Sequence, residues 1–500
     1  MNMVNKDSSS LYDCTIIGYG PTGATLANLL GLCGLKVIVL EREAEIYQLP
    51  RAVHFDDETM RVFQTVGITE ELSKKIRVNL GMRFVDPAGN LLLDWPRPQV
   101  IGPNGWYASY RFHQPDLEQI LRKSLTRFEN IDPRVNAEVF SVKEQSGRVE
   151  VNFKDLNTGT TYLVNTKYVV GCDGARSFLR DCMKTEMENL GFNERWLVID
   201  VFLKKEMPEL GDHTIQYCNP KRPATYCRSP GIRRRWEIKL HDHEDEQKVT
   251  NSENVWEFLK DWIKPNEAEI ERKAVYTFSS AIAKKWKSGR MLLAGDAAHL
   301  TPPFMGQGMC SGIRDVANLA WKIALCSKEN KEDSLLESYQ HERSPHVKAY
   351  IETAIQLGGL INRAESAKAL RAALPGQDGS SRMESIAPKL GESLKAGSSE
   401  HRGRLFPQLR LSDNRLMDDV IGYSPVLLIK EDIKFYNLNL PTGLIVISSE
   451  SEKEVSACLQ YMGTEAVLIR PDRYILGTAK TKEDLNNLLS FPMPSPILGK

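Results

Sequence analysis

The stretch from Cys14 to Leu40 constrains this chain more than any other. Cys14-Thr15-Ile16-Ile17 has the pattern of a short buried strand, Pro21 to Cys33 that of a small-residue helix, and Lys36 to Leu40 that of a second strand rich in β-branched residues. Between the first strand and the helix lies Gly18-Tyr19-Gly20-Pro21-Thr22-Gly23, a G-x-G-x-x-G string. In that position each glycine has a physical task. Gly18 permits a tight turn, Gly20 lets the backbone approach a pyrophosphate, and Gly23 lets helix and strand pack closely. Pro21 and Thr22 open the helix, whose free N–H groups and positive dipole end suit phosphate. Glu41 closes the second strand about twenty residues on, placed for the ribose hydroxyls of an adenosine half, with Arg42 beside it. The glycine string alone is a weak signal, and a structural glycine turn is the bland alternative. Strand, helix and acidic residue together predict a βαβ dinucleotide-binding unit.

Five hundred residues exceed what one hydrophobic core organises, so two or three packed units are expected. Lys plus Arg and Asp plus Glu are 65 each, which leaves no electrostatic footprint for nucleic acid or an anionic membrane. The nine cysteines form no C-x-x-C pair, so neither a metal site nor a disulfide framework is signalled. Five glycines, Pro21, Asn28 and Lys36 interrupt the apolar N-terminal stretch, which excludes a membrane span there. Met1 to Tyr12 lacks the apolar core of a secretory signal. A soluble cytoplasmic protein is expected.

Along the chain the rhythm changes several times. From about 78 to 170 short strands dominate, with Val149 to Phe153 a period-two example and Tyr168-Val169-Val170 another, ending at Gly171. Residues 190 to 280 are strand-like (Trp196 to Leu203, Arg235 to Leu240), with an amphipathic helix near Val255 to Ile263. Met291 to Ala294 reads as a strand, followed by helices from about Ser311 to Cys326 and Ser334 to Leu357. The last hundred residues resume a βαβ rhythm, with strands at Val426 to Ile429, Gly443 to Ile447 and Ala466 to Arg470 and a helix near Lys482 to Leu489. The expected division is 1–180 (with inserted strands from about 78) and 286–361 for the dinucleotide unit, 181–285 for a mostly β substrate unit, 362–404 as a connector, and 405–500 as a small α/β unit.

A second string identifies the dinucleotide. Ala294-Gly295-Asp296-Ala297-Ala298-His299 ends a buried strand and is followed by Pro302-Pro303, Gly306-Gln307-Gly308 and a helix. Asp296 at a strand end can accept a ribityl or ribose hydroxyl, although a plain N-cap would use the same residue type. The next helix can aim its N-terminal N–H groups at the pyrimidine edge of a flavin, where reduced flavin is anionic.

These strings, with Pro50-Arg51-Ala52, Cys172-Asp173-Gly174-Ala175-Arg176-Ser177 and Arg314 to Lys322, occur in an order that resembles the single-component FAD-dependent aromatic hydroxylases, the para-hydroxybenzoate and phenol hydroxylase group. Within that group the chain is most similar to 3-(3-hydroxyphenyl)propionate hydroxylases, through Ile469 to Arg473, with 365–420 the weakest part. The resemblance implies a Rossmann-like α/β FAD domain interleaved with an α+β substrate region, and a C-terminal thioredoxin-like domain made redox-inert by having only Cys458. It implies non-covalent FAD, NADH or NADPH binding transiently without its own Rossmann unit, and O2. A flavin C4a-hydroperoxide would deliver oxygen to a small phenolic substrate in a dry cavity. A homodimer would fit the group.

The resemblance also assigns roles. Arg51 would lie beside the FAD phosphates or ribityl chain, Gln114 near the flavin, Val139 among the FAD contacts, and Asp173-Gly174 would hold FAD and bear on nicotinamide use. Pro302, Gly306, Gly308, Met309 and Cys310 would form the flavin loop. His54 is a candidate for approach to the flavin ring, against a packing role; Tyr217, with His213 and Tyr226, falls in the region expected to roof the substrate. His299 reads as support for the loop, and Arg233-Arg234-Arg235 as a solvated run or an attractant for a carboxylated substrate. Relatives commonly carry Asn where this chain has Cys310, which either packs or leaves the loop looser and the peroxide leaky. The rival substrates are polyketides and other multi-ring phenols. The rival functions are a flavin-dependent halogenase, whose W-x-W-x-I-P segment is missing here, and a non-catalytic flavin-binding protein.

Overall fold

The computed structural model describes residues 5–6, 11–48, 51–329, 334–363, 386–392, 399–430, 440–441 and 444–492. Tyr12–Ile17 lies inside a nine-stranded sheet, parallel to Val37–Leu40 on one side and to Thr161–Gly171 on the other. Val37–Leu40 is followed by the parallel edge strand Ile131–Arg134, while Arg148–Asp155 and Ala137–Gln145 extend the far side antiparallel. The central strands are covered on both faces, so they are buried almost throughout instead of alternating between buried and exposed. Helix Pro21–Leu32 buries every residue from Gly23 to Gly31, packed against the long helix Gly308–Glu329. Only its first turn and Leu32 reach the surface. The small residues foreseen there are what let helix, sheet and second helix approach.

A second sheet of eight strands stands beside the first, in the order His299–Leu300, Ala268–Ala283, Met187–Leu203, Arg233–Lys239, Ala224–Arg228, Thr214–Tyr217, Gly81–Val85, Leu91–Pro96. Its outer face carries Leu197, Ile199, Tyr226, Trp236 and Ile238, packed under helix Ser252–Leu259 through Val255 and Leu259. A small antiparallel sheet of His54–Asp56, Ser109–Arg111 and Arg77–Val78 links the two. The substrate-side sheet therefore draws strands from both parts of the dinucleotide unit, including His299–Leu300 directly after the Gly295-Asp296 string.

The C-terminal sheet has the order Ile445–Ser448, Val426–Ile429, Ala466–Ile469, Ile475–Ala479. Its first pair is parallel and the other two antiparallel, which with helices Lys453–Met462 and Lys482–Leu489 is the thioredoxin-like arrangement. Helix Lys453–Met462 and strand Ile475–Ala479 are additions to the sequence reading. The helix Gly308–Glu329 starts three residues before the expected Ser311, and Ser334–Arg363 runs past Leu357. Most of the expected connector lies outside the described residues, but Leu390 N–H donates to Gly403 O at 2.8 Å and Gly403 N–H to Ile475 O at 3.0 Å. That part is fastened to the C-terminal sheet. Pro50 also lies outside the described residues.

Candidate active site

Two of the loop glycines answer to the protein and one does not. A Cβ on Gly18 (φ +99°) would sit 2.4 Å from Cys172 O, and one on Gly23 would sit 2.1 Å from Gly18 O. Gly20 has an ordinary φ of −71°, and a Cβ there would meet nothing within 4 Å. Gly20 is also the N-cap of helix Pro21–Leu32, with no side chain satisfying the first N–H groups. An open approach to uncapped donors at a helix N-terminus fits the pyrophosphate of a dinucleotide. Glu41 holds the rim: its Oε2 accepts from Tyr19 N–H at 2.8 Å and its Oε1 from Glu43 N–H at 2.9 Å. Arg42 points to solvent, paired with Glu43 at 3.2 Å. Ala137 N–H donates to Glu41 O at 2.8 Å, which brings the strand carrying buried Val139, and the bulge that follows it, to this end of the sheet.

Further along the same edge, Gln114 acts as a splint. Its Oε1 accepts from the backbone N–H groups of Arg51 (3.0 Å) and Ala52 (2.9 Å), while its Nε2 donates to Glu118 at 2.8 Å. Arg51 reaches Asp296 at 3.6 Å, with both side chains substantially exposed. Asp173 Oδ2 accepts from Leu179 N–H at 3.1 Å, its Oδ1 has no partner, and burial pushes its carboxyl up. Gly174 (φ +79°) has open space beside it.

The loop Pro302 to Cys310 is held from below. Gly306 takes a left-handed φ of +64°, and a Cβ there would strike the His54 ring at 2.8 Å. Gln307 Nε2 donates to Asp56 at 3.1 Å, and Arg314 Nη1 donates to Gln307 Oε1 at 3.0 Å while also pairing with Asp56 and Glu58. Gly308 opens the long helix, with nothing within 4 Å of a Cβ, and Met309 is partly exposed beside it. Cys310 turns inward: it is fully buried, its Sγ lies 3.6 Å from Gly306 O, and burial pushes the thiol up to about 12. His299 is buried against Asp315 at 2.6 Å; Asp315 also accepts from Gly295 N–H at 3.1 Å and pairs with Arg343 at 2.9 Å. Its position beneath Gly295 is that of a support.

A cleft of about 630 Å³ opens between this loop and the polar inner face of the eight-stranded sheet. Pro303 to Gly306, Val53 and His54 line the loop side; Trp95, Arg97, Thr214, Gln216, Thr225, Cys227 and Glu237 line the sheet side, with Arg111 at the junction. Pro302 precedes the lining segment. His54 has both ring nitrogens engaged, Nε2 with Ser109 Oγ at 2.8 Å and Nδ1 with Gly306 O at 3.3 Å. Since a carbonyl only accepts, Nδ1 carries the proton and Nε2 accepts from Ser109. Burial, then Arg111, hold the ring neutral, with a pKa near 3.

Tyr217 requires a correction. It packs on the outer face against Trp262, ring centroids 5.0 Å apart, as Tyr226 packs against Trp236 at 5.2 Å. Strand alternation sends Thr214 and Gln216 into the cleft and Ile215 and Tyr217 away from it. His213 does not line the cleft. Of the arginine run, Arg235 is bound to Asp200 at 2.7 Å and Arg233 to Glu271 at 3.0 Å. Arg97, Arg111, Gln216 and Glu237 are site residues that the sequence reading did not name. For Gln216 the period-two pattern of 214–217 was the available signal.

The sequence profile of the FAD binding domain family matches residues 12–354. A probable NADH-specific resorcinol 4-hydroxylase from Rhodococcus jostii (strain RHA1) is 35% identical over 515 aligned residues, covering 95% of this chain and 93% of that protein. A 3-(3-hydroxy-phenyl)propionate/3-hydroxycinnamic acid hydroxylase from Burkholderia vietnamiensis (strain G4 / LMG 22486) is 36% identical, covering 72% of this chain and 65% of the relative. Among solved structures, the flavin-dependent monooxygenase PieE with FAD and substrate superposes with a TM-score of 0.80 at 19% identity, over 97% of this chain and 98% of that one. The ternary complex of aklavinone-11 hydroxylase gives 0.78 at 17%, over 97% and 99%, a likeness of fold alone. The chain belongs to the FAD binding domain family. It is an FAD-dependent monooxygenase with the Rossmann-like fold expected of that group.

Proposed function

We propose that this enzyme hydroxylates a small monocyclic phenol, with NADH or NADPH as reductant and O2 as oxidant. The observation that carries this reading is the cleft of about 630 Å³ between the Pro303–Gly306 loop and the polar inner face of the sheet. Bound FAD would accept hydride from the nicotinamide and activate O2 for transfer to the ring. In this reading the Gly20 and Gly308 openings, Glu41, Arg51 and Asp296 hold the cofactor. Gln114 fixes the backbone that presents Arg51, and Gln307 with Arg314 fixes the loop over which the substrate lies. Trp95, Met82, Phe304 and Met305 exclude water from the cleft. The phenolic substrates of the two sequence relatives favour a single ring. All nine cysteines are free thiols, which fits a reducing cytoplasm.

The experiment is a screen of monocyclic and multi-ring phenols for stimulated oxidation of NADH and NADPH, with products identified by mass. A monocyclic phenol that gains one oxygen supports the reading. Turnover confined to multi-ring phenols, or oxidation of NAD(P)H with no oxygenated product from any of them, refutes it.

A further inference from the structure

Arg111 is a buried cation that forms no ion pair among the described residues. It ends the strand Ser109–Arg111, lines the cleft and is 5% exposed. Its guanidinium donates to the Thr214 hydroxyl, its Nε has no hydrogen-bond partner, and no ion pair joins it to a carboxylate among the described residues. An arginine in such a place is normally paired, because an uncompensated buried charge is costly.

The neighbours deepen the imbalance. Strand pairing sets Arg111 opposite His54 on one side and Arg77 on the other. Like charges directly across strands repel, and Arg77 has its own partner in Asp212 at 3.1 Å. Arg97 adds a second cation to the lining, stacked over Trp95 at 4.3 Å. On the negative side, Asp56 is committed to Arg314, Gln307 and Thr59. Glu237 is the one carboxylate that lines the cleft; it lies 3.7 Å from Arg235, and burial pushes its carboxyl up against the pull of Arg235 and Arg111. Cys227 stays a thiol, pushed up by burial to about 11. His54 contributes no charge, and Arg111 is one of the causes of its depression. Two arginines, Arg97 and Arg111, against the single carboxylate Glu237 leave the walls of the cleft net positive.

We propose that Arg111 receives an anionic oxygen of the substrate, supplied either by the ionised phenol itself or by a carboxylate on the ring's side chain. This rests on the reading of the cleft as a phenol site. A guanidinium in a water-poor cleft makes a strong, short bond to either group. A phenol that has given up its proton to solvent and is held this way as the phenolate would present an electron-rich ring, which suits a cleft whose lining histidine is neutral and already bonded. A carboxylate held this way would fix which ring carbon faces the flavin loop.

The test uses the FAD-loaded enzyme with Arg111→Gln, Arg111→Lys and Thr214→Val, each checked for flavin content. The probes are 4-nitrophenol, whose neutral and ionised forms differ in absorbance, and 3-(3-hydroxyphenyl)propionate with its methyl ester. If the phenolate is the ligand, bound nitrophenol ionises at lower pH than free nitrophenol, at a proton concentration at least about tenfold higher. If the carboxylate is the ligand, the acid binds on the order of 10- to 100-fold tighter than the ester. Arg111→Gln should abolish whichever preference is found, Arg111→Lys should keep part of it, and Thr214→Val should weaken it. Wild-type enzyme that shows neither preference overturns the assignment, as does a preference that survives Arg111→Gln. If Arg111→Gln loses FAD, Arg111→Lys and Thr214→Val decide: a preference unchanged in both overturns it. Hydroxylation of phenols with no anion preference would defeat only the Arg111 assignment, whereas failure of every phenol as substrate would defeat the proposed function itself.

Discussion

Tyr474, from the thioredoxin-like unit, donates its hydroxyl to Glu58 at 2.7 Å. Glu58 pairs with Arg314, and Arg314 donates to Gln307 in the loop Pro302 to Cys310. The same tyrosine oxygen lies 3.2 Å from His346, which contacts Arg343 and through it Asp315 beneath Gly295. The C-terminal unit thus braces both segments proposed to face the flavin. Tyr474→Phe should lower stability by about 1–3 kcal/mol, the usual cost of a hydrogen bond to a charged partner. It should also raise the H2O2 formed per NAD(P)H consumed. Thermal unfolding and peroxide assay check the two effects; unchanged peroxide yield would confine the tyrosine to a packing role.

Gly20 and Gly23 should separate binding from folding. Gly20→Val places a side chain in space the protein leaves open, so the apoprotein should fold while flavin affinity drops steeply. Gly23→Ala drives a Cβ to 2.1 Å from Gly18 O, so the fold itself should suffer. The checks are apoprotein melting temperature and flavin titration, and retention of full flavin by Gly20→Val would remove the phosphate assignment from this loop.

Asp296→Ala removes a pair to Arg51 that is 3.6 Å long and largely solvated. Such pairs contribute about 0–1 kcal/mol, so unfolding should hardly change. If Asp296 holds the cofactor, the purified variant should nevertheless be mostly colourless. A yellow variant with wild-type flavin content would contradict that role.

His54 makes the fold acid-sensitive in a defined window. Its folded pKa is near 3 against an ordinary 6.5. As pH falls through 6.5 the unfolded chain takes up the proton first, so stability declines until about pH 3, where the folded form also protonates. Above 6.5 the group contributes no slope. Denaturant unfolding of His54→Gln and wild type across pH 7 to 4 should show a flatter acid limb in the variant. Parallel curves would show that His54 does not titrate in this way.

Cys310 faces Gly306 O and the interior, not the open side of the loop. Cys310→Asn adds volume to a closed site and should cost about 1–3 kcal/mol. It should not improve the product formed per NAD(P)H. A clear gain in coupling would show that the thiol leaves the loop under-braced.

The dinucleotide unit was legible because its requirements are local. Gly18 is needed for its left-handed turn, Gly23 for its approach to Gly18 O and Glu41 for the end of the second strand, all within one βαβ unit, although Gly18 also packs against Cys172 O from a distant strand. The cleft was not legible in the same way, because its walls come from segments far apart: Trp95, Arg111, Thr214, Glu237 and Phe304 meet only when the sheets close on each other. Tyr217 illustrates the error that follows. Chemistry favoured the tyrosine, but one residue of register gives the cleft to Gln216 and the aromatic to the core under Trp262. Helix Lys453–Met462 was readable and missed: buried Val455, Leu459 and Met462 have helical spacing.

The eight-stranded sheet gains its edges from elsewhere in the chain: 299–300 at one end, 81–96 at the other. Anyone seeking to transplant substrate preference between relatives by exchanging residues 181–285 would cut that sheet twice. Both new edges would expose unpaired backbone, and one of them belongs to the strand that follows the Gly295-Asp296 turn. The unit that can be exchanged is the cleft together with the loop Pro303–Gly306 that lines it, so under the proposed function a new substrate and a re-tuned cofactor would arrive as one change.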